Sequence, residues 1–171
     1  MQNTFGKDII PFNEQERLQA LGRIRLLKSI PQGYFNTLAQ IMALTFDVPI
    51  ALVSIVDDES VTFPGNEGMP GVTEVPRGIS LCSLAILDKN PTVFSDAIDE
   101  PCLLANPLVS GEFGLRFYAG VPITTSDGFN IGTVCVVDKA PRTFSEKEEN
   151  MLSQFAKTVI DDLELRHQTL V

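Results

Sequence analysis

The sequence predicts an α+β domain, and three observations lead to that fold class. Residues 114–123 and 130–138 have the composition of two β-strands, and a turn at 126–128 that contains an Asp-Gly pair joins them. An Asp-Gly pair favours a tight hairpin because both residues tolerate positive φ angles. Residues 35–46 place apolar side chains at helical spacing, and so does the segment that follows Ser145. The chain has 171 residues, which is the size of one domain.

The predicted hairpin is expected at the centre of the sheet, and its first strand has polar side chains on one face. Residues 130–138 are almost entirely apolar, so this strand is expected to be buried on both of its faces. Alternation along the preceding strand places Arg116 and Tyr118 on one face and Phe117 and Ala119 on the other. We therefore expect Arg116 and Tyr118 to face a pocket or a covering loop.

The remaining elements follow from caps, chain breakers and periodicity. Asn13 with Glu16, and Ser145 with Glu148, have the spacing of capping boxes at helix starts. Two stretches rich in Gly and Pro predict long loops, which are commonly functional or mobile. The expected order is a loose tail (1–11), a helix (13–28), a helix (35–46), a strand (50–56), a short strand (61–63), a loop (64–78), a short helix capped by Ser80 (80–87), a strand (92–95), an irregular stretch (96–114), the hairpin, and a final helix that ends near residue 168. We expect residues 12–171 to form a single domain behind a flexible tail.

Charge and cysteine usage exclude several classes of function. The formal net charge is −9. Such a surface repels phosphate backbones and anionic lipids, so we expect neither nucleic acid nor a membrane surface as a partner. The three cysteines are odd in number and scattered, which favours a reducing compartment over a disulfide framework. No apolar stretch approaches the ~20 residues that span a bilayer, and the first residues lack a cationic signal sequence. We expect a cytoplasmic protein.

Six segments carry a resemblance to a known family. They are VPIALVSIVD (48–57), SLCSLAI (80–86), NPLV (106–109), RFYAGVPI (116–123), GTVCVVD (132–138) and DLELR (162–166). Over about residues 12–168 the chain resembles the bacterial GAF domains of signalling proteins. The resemblance implies a central antiparallel sheet of the PAS-like or profilin-like type. It also implies that the first and last long helices lie on one face, often as a dimer bundle, and that loops and short helices close a small-molecule pocket on the other.

This resemblance and the loop positions predict a set of ligand-binding residues. They are Asp57, Arg77, Ser80, Cys82, Ser83, Asn106, Arg116 and Tyr118. An arginine pairs well with a carboxylate or phosphate, but an internal salt bridge to Asp57, Asp96 or Asp138 is the favoured role for each of the two arginines. The Tyr118 hydroxyl could bind a ligand or a loop carbonyl, and an Asn-Pro pair at Asn106 also favours a simple turn.

The cysteines raise an enzymatic alternative. GAF-type reductases of free methionine sulfoxide use cysteines around this pocket, and Cys82 and Cys102 lie in comparable regions, although the residues that flank them differ from that subfamily. Two acidic neighbours of Cys102 disfavour a thiolate there. Cys82 has two interpretations, a reactive thiol or a small buried residue, and Cys135 is expected in the core.

Chromophores and metals find little support in the sequence. Cys82 is followed by Ser83 rather than by a histidine, and the single histidine is His167, near the end of the final helix. Neither a bilin nor a haem is therefore expected as a cofactor. One histidine and no paired cysteine spacing provide no metal-ligand set.

Three functions are compatible with these features of the sequence. The favoured one is a sensory or regulatory module that binds a small molecule and signals through its terminal helices as a homodimer, attached to downstream signalling domains. The second is a thiol-dependent reductase of free methionine sulfoxide, with Cys82 and Cys102 as its catalytic residues. The third is a ligand-free dimerisation domain, which a cavity filled by side chains would favour. An enzyme is the less expected outcome.

Overall fold

The computed structural model describes residues 1–25 and 33–170, without the side chains of Arg25 and residues 167–170. The predicted end of the first helix near Lys28 and its expected break at Pro31 lie outside the described residues. The helices are α1 (Glu14–Arg25), α2 (Tyr34–Phe46), α3 (Cys82–Ala85), α4 (Pro107–Ser110) and α5 (Glu146–Leu170), with two short 3-10 turns at Ala97–Asp99 and Pro101–Leu103. The strands are β1 (Ile50–Val56), β2 (Ser60–Glu67), β3 (Glu74–Pro76), β4 (Thr92–Phe94), β5 (Phe117–Thr124) and β6 (Asn130–Asp138).

The strands form one six-stranded antiparallel sheet in the order β3-β2-β1-β6-β5-β4. The α+β fold class and the central antiparallel sheet are confirmed. The predicted hairpin is β5 and β6, paired from Phe117 opposite Asp138 to Thr124 opposite Asn130. β6 lies between β1 and β5 and is buried along most of its length, as its apolar composition predicted.

The sheet separates two apolar cores. On the helix face, residues of α1, α2 and α5 pack on Ala51, Val53, Phe117 and Val134. The opposite side, here called the pocket face, is covered by the short helix α3 and the irregular segments between β2 and β5. Alternation along each strand assigns side chains to the two faces, so the expected arrangement of long helices on one side and short elements on the other is confirmed.

The first eleven residues differ from the expected loose tail. Phe5 and Ile9 are 3% and 0% exposed and belong to the core of the pocket face. The backbone N–H of Thr4 donates to the carbonyl of Gly78 at 3.0 Å. Phe5 and Ile9 are too few apolar residues to give a helix or strand periodicity in this short polar segment. Their burial depends on a surface that other elements form.

Other boundaries also differ from the predictions. β2 continues to Glu67 and β3 pairs with it, so the predicted loop at 64–78 is partly strand. α3 has Leu81 rather than Ser80 as its N-cap residue, although the Ser80 hydroxyl accepts a hydrogen bond from the Cys82 N–H at 3.3 Å. The capping box before α5 is confirmed, since Ser145 and Glu148 bond each other's backbone N–H through their side chains. Within residues 1–25 and 33–170, none of the helices has the length and apolar character needed to cross a bilayer.

Candidate functional site

A small cavity lies between the pocket face of the sheet and the segments that cover it. Its volume is about 40 Å³. The sheet and α3 contribute Leu52, Phe63, Val75, Ser80, Leu81, Cys82, Tyr118, Cys135 and Val137, and the covering segments contribute Met69, Leu108, Phe113 and Leu115. Of the residues predicted to bind a ligand, three line this cavity: Ser80, Cys82 and Tyr118.

A cluster of two thiols and three hydroxyls lies beside the cavity, and three of its members, Cys82, Tyr118 and Cys135, line it. We call it the thiol–hydroxyl cluster, and it comprises Ser54, Cys82, Tyr118, Thr133 and Cys135. The Cys82 Sγ atom lies 4.0 Å from the Cys135 Sγ atom, and the hydroxyls of Thr133 and Tyr118 donate to it at 3.3 and 3.5 Å. The Ser54 and Thr133 hydroxyls are 2.7 Å apart. All five residues are buried.

The cluster shifts the pKa values of its two thiols in opposite directions. Hydrogen bonding by the Cys135 thiol, with further donation from Ser54, Thr133 and Tyr118, lowers the pKa of Cys82 to about 5 even though burial opposes the shift. The same contact with Cys82, together with burial, raises the pKa of Cys135 well above its ordinary value. Burial and the neighbouring sulfurs also raise the pKa of Tyr118, so its hydroxyl stays protonated as a donor. The direction of these shifts makes Cys82 the more acidic thiol of the pair.

Arg77 lies outside the cavity, in what we call the arginine network of Glu14, Arg17 and Arg77. Its side chain is fully buried and forms an ion pair with Glu14 on α1. The Arg77 Nη2 atom also donates to the Glu14 Oε1 atom at 3.2 Å. Arg17 donates to Glu14 at 2.7 Å and to the carbonyl of Val56 at 2.7 Å. The internal salt bridge weighed for Arg77 is present, but its partner is Glu14 rather than one of the three expected aspartates.

Asp57 and Ser83 both form hydrogen bonds with Arg77 of this network. The Asp57 carbonyl accepts from Arg77 at 3.1 Å, and the Asp57 side chain accepts from the next backbone N–H at 3.0 Å. The Ser83 hydroxyl donates to the Arg77 carbonyl at 2.6 Å. Ser83 lies next to Cys82 in α3, so Arg77 connects the helix at the cavity with α1 on the other side of the molecule.

Asn106 and Arg116 hold covering segments in place. The Asn106 side chain accepts from the N–H of Leu108 at 3.0 Å, which caps α4, and donates to Thr4 and Ile79 at 3.0 and 2.8 Å. Arg116 precedes β5 and donates to the carbonyls of Val109 and Leu115 at 3.0 and 2.9 Å. Of the two alternatives expected for this pair, Tyr118 lines the cavity, whereas Arg116 faces a covering segment, because the carbonyls beside it accept hydrogen bonds from its guanidinium.

Cys102 is separated from the other two cysteines. It lies half-buried in the 3-10 turn Pro101–Leu103, whereas the sulfur in contact with Cys82 is that of Cys135. The expectation of Cys135 as a core residue is confirmed by its complete burial, but its contact with Cys82 was not foreseen. A signal was available, since Thr133 and Cys135 alternate onto one face of β6. The partner strand β1, with Ser54 opposite Thr133, was visible only after pairing.

Comparison with known families identifies the class of protein to which the chain belongs. The family model of the GAF domain matches residues 31–160. The match covers most of the chain, and the chain belongs to the GAF domain family. The resemblance found in the sequence is confirmed.

Similar proteins include one of related sequence and several of related structure. A cyclic di-GMP phosphodiesterase of Pseudomonas aeruginosa is 35% identical over 151 residues, which are 88% of this chain and 26% of that protein. The chain thus spans about a quarter of the length of this relative. The free methionine-R-sulfoxide reductase of Neisseria meningitidis, in complex with its substrate, aligns with a TM-score of 0.66 at 18% identity over 100% of this chain and 99% of that one. The GAF domain of an Acinetobacter phosphoenolpyruvate-protein phosphotransferase gives a TM-score of 0.65 at 16% identity over 90% and 96% of the two chains. These two structures share the fold with this chain.

Proposed function

We propose that this chain is a sensory domain that takes a small uncharged molecule between the pocket face of the sheet and its covering segments. The observation that carries the proposal is the chemistry of the cavity. No Asp, Glu, Lys, Arg or His side chain is among the described residues that line it, and its polar groups are the hydroxyls and thiols at Ser80, Cys82, Tyr118 and Cys135. An unpaired phosphate or carboxylate would be strongly disfavoured in such surroundings. The ligand class is therefore an uncharged molecule with an apolar body.

The small cavity volume supports the further proposal that the chain is in a closed state. Small-molecule pockets commonly occupy about 300–1,000 Å³, whereas this cavity measures about 40 Å³. A metabolite-sized ligand therefore enters only if Met69, Leu108 and Phe113 move away from the sheet. A ligand that binds the open arrangement better shifts the population toward it, which is the physical requirement for a sensor.

The arginine network supports a route from the cavity to the terminal helices. Ser83 of α3 binds the Arg77 carbonyl, and the Arg77 side chain binds Glu14 of α1. A displacement of α3 therefore acts on a buried ion pair that has little room to adjust. α1 in turn packs on α5. We propose that the domain reports through α1 and α5 as a homodimer, and that it regulates downstream signalling domains. The span of about a quarter of the Pseudomonas phosphodiesterase supports a regulatory role within a longer protein.

Native mass spectrometry with a cavity-filling variant tests the proposal. Val75→Phe adds a ring to the cavity wall at β3, and Val93→Phe is the matched control, because Val93 packs toward the helix face. We expect freshly purified wild type and Val93→Phe to carry an additional small mass that Val75→Phe lacks. Equal retention by all three proteins would contradict binding in this cavity.

The cavity also gives a specific reason for a second candidate, a ligand-free dimerisation domain. Side chains fill most of the space below the covering segments, as expected for a domain that has lost its ligand. Dimers of wild type, Val75→Phe and Val93→Phe that all lack any additional mass would favour this candidate. The reductase alternative has weaker support, because its proposed partners Cys82 and Cys102 are not in contact.

A further inference from the structure

The side chains of Cys82 and Cys135 meet at the cavity from opposite sides, one on α3 and the other on the central strand β6. We propose that these two thiols are a reversible redox pair, which hydrogen peroxide oxidises to a disulfide within the core of the domain. Disulfide formation is a chemical property of the thiols, so it goes beyond the proposed ligand-binding function and does not depend on it.

The geometry requires only a small displacement. The two sulfurs are 4.0 Å apart, and a disulfide bond is about 2.05 Å long, so the sulfurs approach each other by about 2 Å. In the sheet, Cys135 lies opposite Leu52 on one side and Gly120 on the other. Gly120 has no side chain that could separate Cys135 from α3, and the Tyr118 ring lies over it. Nothing bulky stands between the two thiols.

Access and activation are both present at the pair. The cavity of about 40 Å³ borders both sulfurs, and since a water molecule needs about 10–15 Å³ of such space, hydrogen peroxide fits. The peroxide is small and uncharged, whereas a large anionic thiol such as a tripeptide does not fit a cavity of this volume. The Thr133 and Tyr118 hydroxyls that donate to Cys82 stabilise its thiolate and can orient a peroxide oxygen beside it.

The reaction proceeds in two balanced steps. The Cys82 thiolate attacks one peroxide oxygen, the O–O bond breaks, and the departing hydroxide takes up a proton to become water, which leaves Cys82 as a sulfenic acid. The Cys135 sulfur then attacks the Cys82 sulfur, the S–O bond breaks, and the Cys135 proton leaves with the oxygen as a second water. In total, two thiols lose two electrons and two protons, and one peroxide becomes two waters. A dithiol reductant reverses the change by thiol–disulfide exchange.

Peptide mapping of the wild-type chain tests the pair directly. After brief treatment with hydrogen peroxide and quenching, we expect the number of free thiols to fall from three to one, the mass to fall by two hydrogen atoms, and one cross-linked peptide to join Cys82 with Cys135. Dithiothreitol should restore all three thiols. Cys102→Ser is the matched control and should give the same cross-link, whereas Cys82→Ser and Cys135→Ser should give none.

Tyrosine fluorescence gives a second readout that does not depend on the cysteine variants folding. The chain has two tyrosines and no tryptophan, so in a Tyr34→Phe background the emission comes from Tyr118, whose hydroxyl is 3.5 Å from the Cys82 sulfur. Formation of a disulfide at this distance should quench the emission, and dithiothreitol should restore it. A cross-link through Cys102, a sulfinic acid at Cys82 with Cys135 still free, or unchanged thiols and emission after peroxide would overturn the proposal. Loss of ligand binding with an intact cross-link would instead count against the proposed function alone.

Discussion

The position of the Tyr118 side chain depends on the glycine two residues further along its strand. A Cβ atom at Gly120 would lie 2.4 Å from the Tyr118 hydroxyl and 2.8 Å from two ring carbons. Residues 118 and 120 share one face of β5, so only glycine lets the ring lie along the strand. This orientation brings the hydroxyl to Cys82 and completes the thiol–hydroxyl cluster. The shape of the candidate site thus depends on the absence of one methyl group.

Gly120→Ala should therefore destabilise the chain through Tyr118. The ring has to leave its position, and overpacking of this kind lowers the free energy of unfolding by about 1–3 kcal/mol. Urea denaturation of Gly120→Ala, Tyr118→Leu and the double variant measures the coupling between the two positions. Leucine has no ring over residue 120, so the alanine substitution should have little effect in that background. An equal loss in both backgrounds would show that the backbone of Gly120, not the tyrosine, is the constraint.

Among the secondary-structure elements, α1 is held to the sheet by buried charges as well as by apolar packing. Arg17 and Arg77 are 1% and 0% exposed, and both pair with Glu14. Each guanidinium also has one buried N–H group, Arg17 Nη2 and Arg77 Nε, without a partner among the described residues. Both buried cations therefore pair with the Glu14 carboxylate, and its removal takes the paired negative charge from each of them.

Glu14→Gln should lower the free energy of unfolding by about 3 kcal/mol, because glutamine keeps an acceptor oxygen but not the charge. Glu16→Gln is the matched control, since Glu16 is exposed in the same first turn of α1, and its effect should stay within about 0.5 kcal/mol. Chemical denaturation followed by circular dichroism measures both values. Similar effects of the two substitutions would mean that the arginine network contributes little to stability.

The same network predicts how stability changes with pH. Burial by itself raises the pKa of Glu14, but hydrogen bonds and charge from Arg77 and Arg17 outweigh it and hold the pKa below its ordinary value. A carboxyl with a lowered folded-state pKa contributes stability above its unfolded pKa of about 4.3, and this stability is lost as the pH falls. Wild type should therefore lose stability more steeply than Glu14→Gln between about pH 5 and about pH 3. Parallel pH profiles would contradict the assignment.

At the scale of the whole molecule, internal packing buries much of the apolar surface of the terminal helices. Leu21 and Ile24 of α1 are 3% and 9% exposed and belong to the core of the helix face. On α5, Leu165 is 63% exposed. A homodimer that uses the terminal helices therefore has to include the C-terminal half of α5.

Leu165→Lys should shift the chain from dimer toward monomer, because it places a charge in the proposed interface. Leu104→Lys is the matched control, since Leu104 is 56% exposed but lies on a short segment of the pocket face. Sedimentation equilibrium over a range of concentrations measures the dissociation constant of each protein. A monomeric wild type, or equal weakening by both substitutions, would contradict a dimer through the terminal helices.

The strength of local signals decided which parts of the fold could be predicted. The β5–β6 hairpin, the capping box before α5 and the strand at 50–56 are specified by neighbouring residues, and their positions were close to those observed. The N-terminal segment and the extension of β2 were missed, because Phe5 and Ile9 are buried on a surface made by distant elements. Arg77 and Arg116 were weighed for two roles each, since the sequence could not show which carboxylates or carbonyls lie beside them.

By itself, the sequence determined the α+β class, the central position of β6, the family, and the chemical types present at the candidate site. These features follow from periodicity, turn residues and short motifs, which act over a few neighbouring positions. Only the tertiary structure decided that Cys82 meets Cys135 rather than Cys102, that Glu14 pairs with two buried arginines, and that the cavity is nearly closed. Each of these contacts joins residues far apart in the chain, and their distances are set by strand pairing and by packing of the whole domain.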